Sequence, residues 1–248
     1  MIIRKSEREL ALMRDAGRIV AETHAYLAEE VTPGITTEEI DRMAEEFILK
    51  HDAKPAFKGY QGFPSTVCVA INEQVVHGIP DSRRLKSGEI IGLDIGAIKS
   101  GYYGDAAQTL AVGEVSDEAQ RLMRVTKESL LAGIEAAVEG NRLSDISHAV
   151  QSHVEAAGFS VVRNFVGHGI GSKMHEAPQL PNFGAPGNGP ILKSGMTLAI
   201  EPMVNVGDYR VETLDDGWTV VTKDRELSAH FEHTVAITES GPQILTKI

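Results

Sequence analysis

Four acidic residues stand where acids are expensive to keep. Asp94 interrupts the apolar run Ile90-Ile91-Gly92-Leu93-Asp94-Ile95-Gly96, and Glu201 closes Leu198-Ala199-Ile200-Glu201-Pro202. Asp105 follows Tyr102-Tyr103-Gly104, and Glu232 lies in His230-Phe231-Glu232-His233. A buried carboxylate is costly unless a cation or hydrogen-bond donors meet it, so Asp94 is either paired or ligating. The surroundings also repeat. Lys86-Ser87-Gly88 leads to Asp94 as Lys193-Ser194-Gly195 leads to Glu201, and His77-Gly78-Ile79 precedes the first copy as His168-Gly169-Ile170 precedes the second. Asp105 then follows the first copy as Glu232 follows the second.

Acids gathered about a twofold repel one another unless cations sit between them. Four carboxylates balance two divalent ions. With one neutral imidazole added, the set is hard and oxygen-rich, better suited to manganese, iron or cobalt than to structural zinc. Two such ions about 3.5–4 Å apart lower the pKa of a bridging water and clamp an oxyanion, which is the chemistry of amide or phosphoester hydrolysis. For the imidazole, His168 between Gly167 and Gly169 suits a ligand and equally a turn. His230 shares the face of Glu232 by strand alternation and is a rival ligand, ranked second. His175, in Met174-His175-Glu176, reads by itself as an exposed loop histidine. His24, His51, His148 and His153 fall on predicted helices, where packing or surface roles fit better. Cys68 between Val67 and Val69 reads as a buried or pocket-lining side chain rather than a nucleophile. No Gly-x-Ser-x-Gly elbow, phosphate loop or His-Glu-x-x-His helix is present.

The elements that must position these residues follow from periodicity. Leu10, Met13, Gly17, Val20, His24 and Leu27 recur at helical spacing, predicting a helix from Ser6 to about Glu30 that Thr32-Pro33-Gly34 stops. Thr36 and Glu39 have capping-box spacing and open a second helix running to about His51. A loop over 53–63 precedes short β-rich runs at 66–71 and 75–79, read as a hairpin, and two more strands carry Asp94 and Asp105 around a Lys99-Ser100-Gly101 turn. The plan then restarts, with helices at 117–139 and 144–157 and strands at 161–166, 197–206, 218–222 and 231–238; a Gly- and Pro-rich loop at 177–190 has no counterpart. The expected fold class is α+β, one domain over 1–248 built of two helix-helix-strand halves, about 1–112 and 113–248, with their antiparallel sheets facing one cleft.

Composition narrows the function. The net charge is -11 with no basic run longer than Arg83-Arg84, which argues against nucleic acid or an anionic membrane as the main partner. The single cysteine, Cys68, excludes an internal disulfide or a Cys-based zinc site and fits a reducing setting; no signal peptide or membrane-length run is seen, so a cytoplasmic location is expected.

Taken together, these motifs resemble the type I methionine aminopeptidases, from the first helix to the end of the chain. The resemblance is carried by Asn72-Glu73, Val76-His77-Gly78-Ile79-Pro80, Asp94-Ile95-Gly96, Gly104-Asp105, Gly167-His168-Gly169-Ile170-Gly171 with His175, Ile200-Glu201-Pro202, and Phe231-Glu232-His233-Thr234. It implies the pita-bread fold around a dinuclear metal cleft. It also implies an aminopeptidase that removes initiator methionine when the second residue is small, with two divalent ions of cobalt, manganese or iron. Carried over by residue, Asp94 would chelate one ion, His168 and Glu201 would bind the other, and Asp105 and Glu232 would bridge them; His230 then drops out. Glu201 would also be general base toward the bridging water, His175 would donate to the scissile carbonyl, and His77 would bond the substrate amide nitrogen.

The same resemblance places Phe57, Tyr60, Phe63, Cys68, Met174 and Trp218 around the methionine side chain, where sulfur–aromatic contact is favourable. Phe57 stands where the family often has cysteine, and Met174 where it often has an aromatic. Implied partners are N-terminal methionyl peptides and nascent polypeptides, with a transient ribosome encounter and a monomeric state, and Met1 is expected to stay in place before bulky Ile2. Two alternatives fit less well. Xaa-Pro aminopeptidases usually carry an extra N-terminal domain, whereas residues 1–30 enter the first helix at once, and non-catalytic pita-bread binding proteins usually lose ligands that are all kept here.

Overall fold

The computed structural model describes residues 1–248, and the chain makes two similar passes. The first contains α1 (Glu7–Glu30), α2 (Thr37–Lys50), β1 (Lys54–Pro55), β2 (Val67–Ile71), β3 (Gln74–Val76), β4 (Ile90–Lys99) and β5 (Tyr102–Ala111). The second opens with α3 (Asp117–Ala136) and α4 (Leu143–Ala156), then β6 (Ser160–Val161), β7 (Gly167–Gly169), β8 (Glu176–Leu180), β9 (Thr197–Ile200) and β10 (Met203–Asn205). It continues through β11 (Val211–Thr213), β12 (Val220–Thr222), β13 (Ser228–His230), β14 (Glu232–Thr238) and β15 (Gly241–Ile244).

α2 begins where the capping-box spacing predicts, and α1 and α3 are capped as well. Ser6 with Glu9, and Thr36 with Glu39, each form a reciprocal capping box, and Ser116 accepts from the Ala119 amide at the start of α3. The six residues at helical spacing in α1 are all buried. α3 ends at Ala136, three residues before the expected stop, where the Asn141 side-chain amide donates to the Ala136 carbonyl.

Strand alternation divides β4 between two environments. Ile91, Leu93, Ile95 and Ala97 join the core that α1 and α2 cover, including Val20, Leu27, Ile40 and Ile48, while Asp94 and Gly96 face the other way. In the second half Leu130, Ile134 and Ile146 cover Leu198, Ile200, Val235 and Ile237 in the same manner. α1 approaches β5 closely, for a Cβ on Gly104 would stand 2.7 Å from the Gly17 backbone nitrogen.

The two halves do not present separate facing sheets. Their main strands form a single nine-stranded sheet in the order β1-β4-β5-β14-β9-β7-β8, with β2 also on β4 and β15 also on β14. The seam is the antiparallel pair β5–β14, with Glu232 opposite Ala107 and His233 opposite Ala106. The strands that carry or lead to the four acids are therefore arranged symmetrically: β5 and β14 inside, β4 and β9 outside.

Four other expectations change. β2 and β3 do not form a hairpin ladder: only an isolated bridge joins Val69 to Gly78 beyond β3, and β3 pairs with β12 in a second sheet, β11-β12-β3. The expected strand 197–206 breaks at Glu201-Pro202, since proline offers no N–H to a ladder; β9 stays in the large sheet and β10 enters a third, β13-β10-β6. The run 161–166 contributes only its first residue to β6. The loop at 177–190 starts as strand, for β8 pairs with β7 at the sheet edge, where Pro178 costs no ladder bond.

Candidate metal centre

Register brings the four acids onto one face. Asp94 lies opposite Ala107, and Gly96 lies opposite Asp105, so the two aspartates are diagonal neighbours pointing to the same side. Glu232 opens β14 beside β5, and Glu201 directly follows β9. At the seam the Thr234 hydroxyl donates to the Asp105 carbonyl at 2.8 Å, and the Asp105 amide donates to that hydroxyl at 3.0 Å. One side chain thus fixes the inner strands against each other.

His168 comes from β7, opposite Ala199 on β9. Its Nδ1 donates to the Gly169 carbonyl at 2.9 Å, which leaves Nε2 as the free nitrogen, 3.5 Å from Glu201 Oε1. Asp105, His168 and Glu232 are all buried and offer ligand atoms within 4.8 Å of one another. Asp94 and Glu201 line the same cavity and are partly open to it.

The repeat holds for the acids and fails for the histidines. With Asp94 matched to Glu201, Gly92 matches Ala199; their neighbours across the ladder are Ala70 and His168. His77 instead follows β3, at a backbone φ of 61°, and packs its ring edge-on against Phe165 at 5.4 Å. It still lines the same cavity as His168.

All the predicted site residues line one cavity of about 570 Å³. His175 stands on the strip between β7 and β8 with its ring centroid 4.2 Å from that of His168, and its Nδ1 meets the Tyr60 hydroxyl at 2.8 Å. Phe63 and Trp218 pack edge-to-face at 5.2 Å. Gly96 packs against two of the lining side chains, for a Cβ there would stand 2.8 Å from Phe57 and 3.1 Å from the Met174 methyl. The wall includes residues that sequence reasoning did not single out, among them Phe165, Glu176 and Gln179. Phe165 had a signal in its closeness to Gly167-His168-Gly169; Glu176 and Gln179 were hidden in a stretch read as a loop. His230 also lines the cavity, and its Nε2 is buried without a partner.

Electrostatics distinguish this pocket from a solvated acidic patch. Oδ1 of Asp94, Oδ1 of Asp105 and Oε1 of Glu232 are buried with no hydrogen-bond partner. Burial, and then the charge of neighbouring acids, pushes the carboxyls of Asp94, Glu201 and Glu232 well above the usual range. Asp105 is raised by burial to about 7, against the pull of hydrogen bonds from Asp94 and the Ala106 amide. Burial lowers His168 to about 4 and His230 to about 3, so both imidazoles are neutral and can act as ligands. Orphaned oxygens, repelling acids and neutral imidazoles fit divalent cations, which would supply the missing charge.

Comparison with known proteins agrees with this chemistry. The model of metallopeptidase family M24 matches residues 11–239. The chain is 60% identical over 248 residues to a methionine aminopeptidase of Clostridium perfringens, covering 100% of both chains. It superposes on the crystal structure of methionine aminopeptidase from Thermotoga maritima with a TM-score of 0.99 at 47% identity, again covering 100% of both. A prolidase from Pyrococcus furiosus, at 24% identity and TM-score 0.81 over 99% of this chain and 66% of that one, shares the fold. With buried acids built for divalent ions and full-length likeness of this degree, the chain belongs to metallopeptidase family M24, in its methionine aminopeptidase branch.

Proposed function

We propose that the protein is a metal-dependent aminopeptidase that removes N-terminal methionine from peptides and nascent proteins whose second residue is small. The observation that carries this reading is the convergence of partnerless buried acids with His168 in a cavity that is also lined by apolar and aromatic side chains. Asp94, Asp105, His168, Glu201 and Glu232 would hold two divalent ions, with manganese, iron and cobalt all suited to so oxygen-rich a set. Such a pair of ions lowers the pKa of bound water and polarises the scissile carbonyl.

The chain's own residues do the rest. Glu201, at the cavity face beside His168, is placed to take the proton of the attacking water. His175 Nδ1 meets the Tyr60 hydroxyl, and in the tautomer in which that nitrogen accepts, the ring proton sits on Nε2, available to a developing oxyanion. His77, which lines the cavity and packs against Phe165, would bond the substrate amide nitrogen. Phe57, Tyr60, Phe63, Cys68, Met174 and Trp218 enclose the methionine side chain and keep water from it. We assign the protein to the cytoplasm as a monomer that meets its substrates as they emerge from the ribosome. No observation favours a proline-specific or non-catalytic reading.

Release of free methionine from Met-Gly-Met-Met and Met-Leu-Met-Met, with metal-stripped protein and with protein given Mn²⁺, Fe²⁺ or Co²⁺, tests this. The expected outcome is metal-dependent cleavage of the first peptide alone, lost in Glu201→Ala. Metal binding without release from either peptide would overturn the reading.

A further inference from the structure

Lys5 and Glu176 form an ion pair that the reading above leaves unused. Lys5 Nζ lies 2.5 Å from Glu176 Oε2, and the two side chains keep only 3% and 4% of their exposure. Burying two charges costs heavily in desolvation, so such a pair is poor evidence of a stabilising role. What it does here is tie the segment ahead of α1 to the strip that carries Met174 and His175.

The tie is anchored at both ends. The Lys5 amide donates to the Gly195 carbonyl at 2.6 Å, and the second carboxylate oxygen of Glu176 accepts from the Lys173 amide at 3.3 Å. Gly171 makes room for it, since a Cβ there would stand 2.3 Å from Lys5 Cε and 2.7 Å from Glu176 Oε1. Glu176 follows His175 directly, opens β8 opposite Gly169 where the β7–β8 register shifts, and lines the cavity. The His175 ring is therefore held by the Tyr60 hydroxyl on one side and by the anchored main chain on the other.

We infer that Lys5 is a positioning residue: through Glu176 it holds His175 at the distance from the ligand cluster at which it can donate to the substrate carbonyl. The inference rests on the function proposed above. Misplacing a catalytic group by about 1 Å costs about a hundredfold in rate, and a loss of that order in kcat, with KM little changed, is expected for Lys5→Met. In a His175→Ala background the same change should add almost nothing, because the group it positions is gone. The double variant K5M/E176M replaces the pair with apolar side chains, so it should recover the melting temperature of K5M while leaving kcat low.

A readout independent of turnover is the ¹³Cε1 resonance of His175 in histidine-labelled protein. It should move in K5M and in K5M/E176M, while those of His51, His148 and His153 stay in place. Recovery of kcat together with melting temperature in the double variant would overturn the inference. So would equal losses from K5M with and without His175, or an unmoved His175 resonance. If K5M alone does not fold, the double variant carries both measurements. Absence of methionine release by the unaltered protein would instead overturn the proposed function and leave the resonance test standing.

Discussion

Asp94, Asp105, Glu201 and Glu232 keep protons that an unfolded chain would release. Unfolded carboxyls titrate near about 4, whereas burial and mutual repulsion raise these four, Asp105 to about 7. In metal-free protein their contribution to stability is complete below the unfolded value and is lost as pH rises through the folded ones. His168, lowered by burial to about 4, works in the opposite direction: its contribution is present above the unfolded value of about 6.5 and is lost as pH falls toward 4. Divalent ions bound at these acids would replace the carboxyl protons, so binding would release protons and stabilise the fold by mass action. Saturating Mn²⁺ should accordingly raise the melting temperature by more at pH 8 than at pH 5.5, and equal increments would contradict the assignment. Gly96, packed against Phe57 and Met174 of the pocket, gives a second test at this scale. In Gly96→Ala the new Cβ meets Phe57 and Met174, overpacking that costs about 1–3 kcal/mol. KM for Met-Gly peptides should rise severalfold while metal stoichiometry, read by calorimetry, is unchanged.

Among the elements, the β5–β14 seam matters most, since it pairs through only two residue positions before Thr234 takes over. Thr234→Val keeps the shape but leaves the amide and carbonyl of Asp105 without that partner, each at a cost of about 1–3 kcal/mol. Its expected effects are a lower melting temperature and, because Asp105 and Glu232 lie on the two strands it joins, weaker Mn²⁺ binding in calorimetry. Much of the element plan was legible beforehand. The capping-box spacing at Thr36 and the apolar stripe of α1 are local signals, and the expected starts of α1, α2 and α3 lie within a residue of the observed ones. The strands were harder. Nothing local in 197–206 shows that β9 and β10 belong to different sheets, although Pro202 was a hint. The edge position of β8, which lets Pro178 sit in a strand, depends on where β7 runs.

For the whole molecule, one sheet running through both halves makes independent folding of either half unfavourable, because each would expose β5 or β14 as an unpaired inner strand. We propose that residues 1–248 unfold as one cooperative unit. Far-ultraviolet circular dichroism and fluorescence of Trp218, the single tryptophan, should report coincident transitions, and separated midpoints would argue for two units. No helix is long and apolar enough to cross a membrane.

The sequence by itself determined the kinds of chemistry available: four acids too costly to bury alone, histidines to join them, helix starts at capping residues, and an acid-to-acid repeat that already implied a twofold. Those are properties of neighbours in the chain, and they survive without a fold. The tertiary structure decided which residues meet. It placed His168 in the large sheet and His77 in the turn after β3 despite their matching flanks, merged two expected sheets at the β5–β14 seam, and buried Lys5 against Glu176 across most of the chain. Ladder register and ion pairing between distant segments depend on the shape of everything packed between them, and no local pattern encodes that shape.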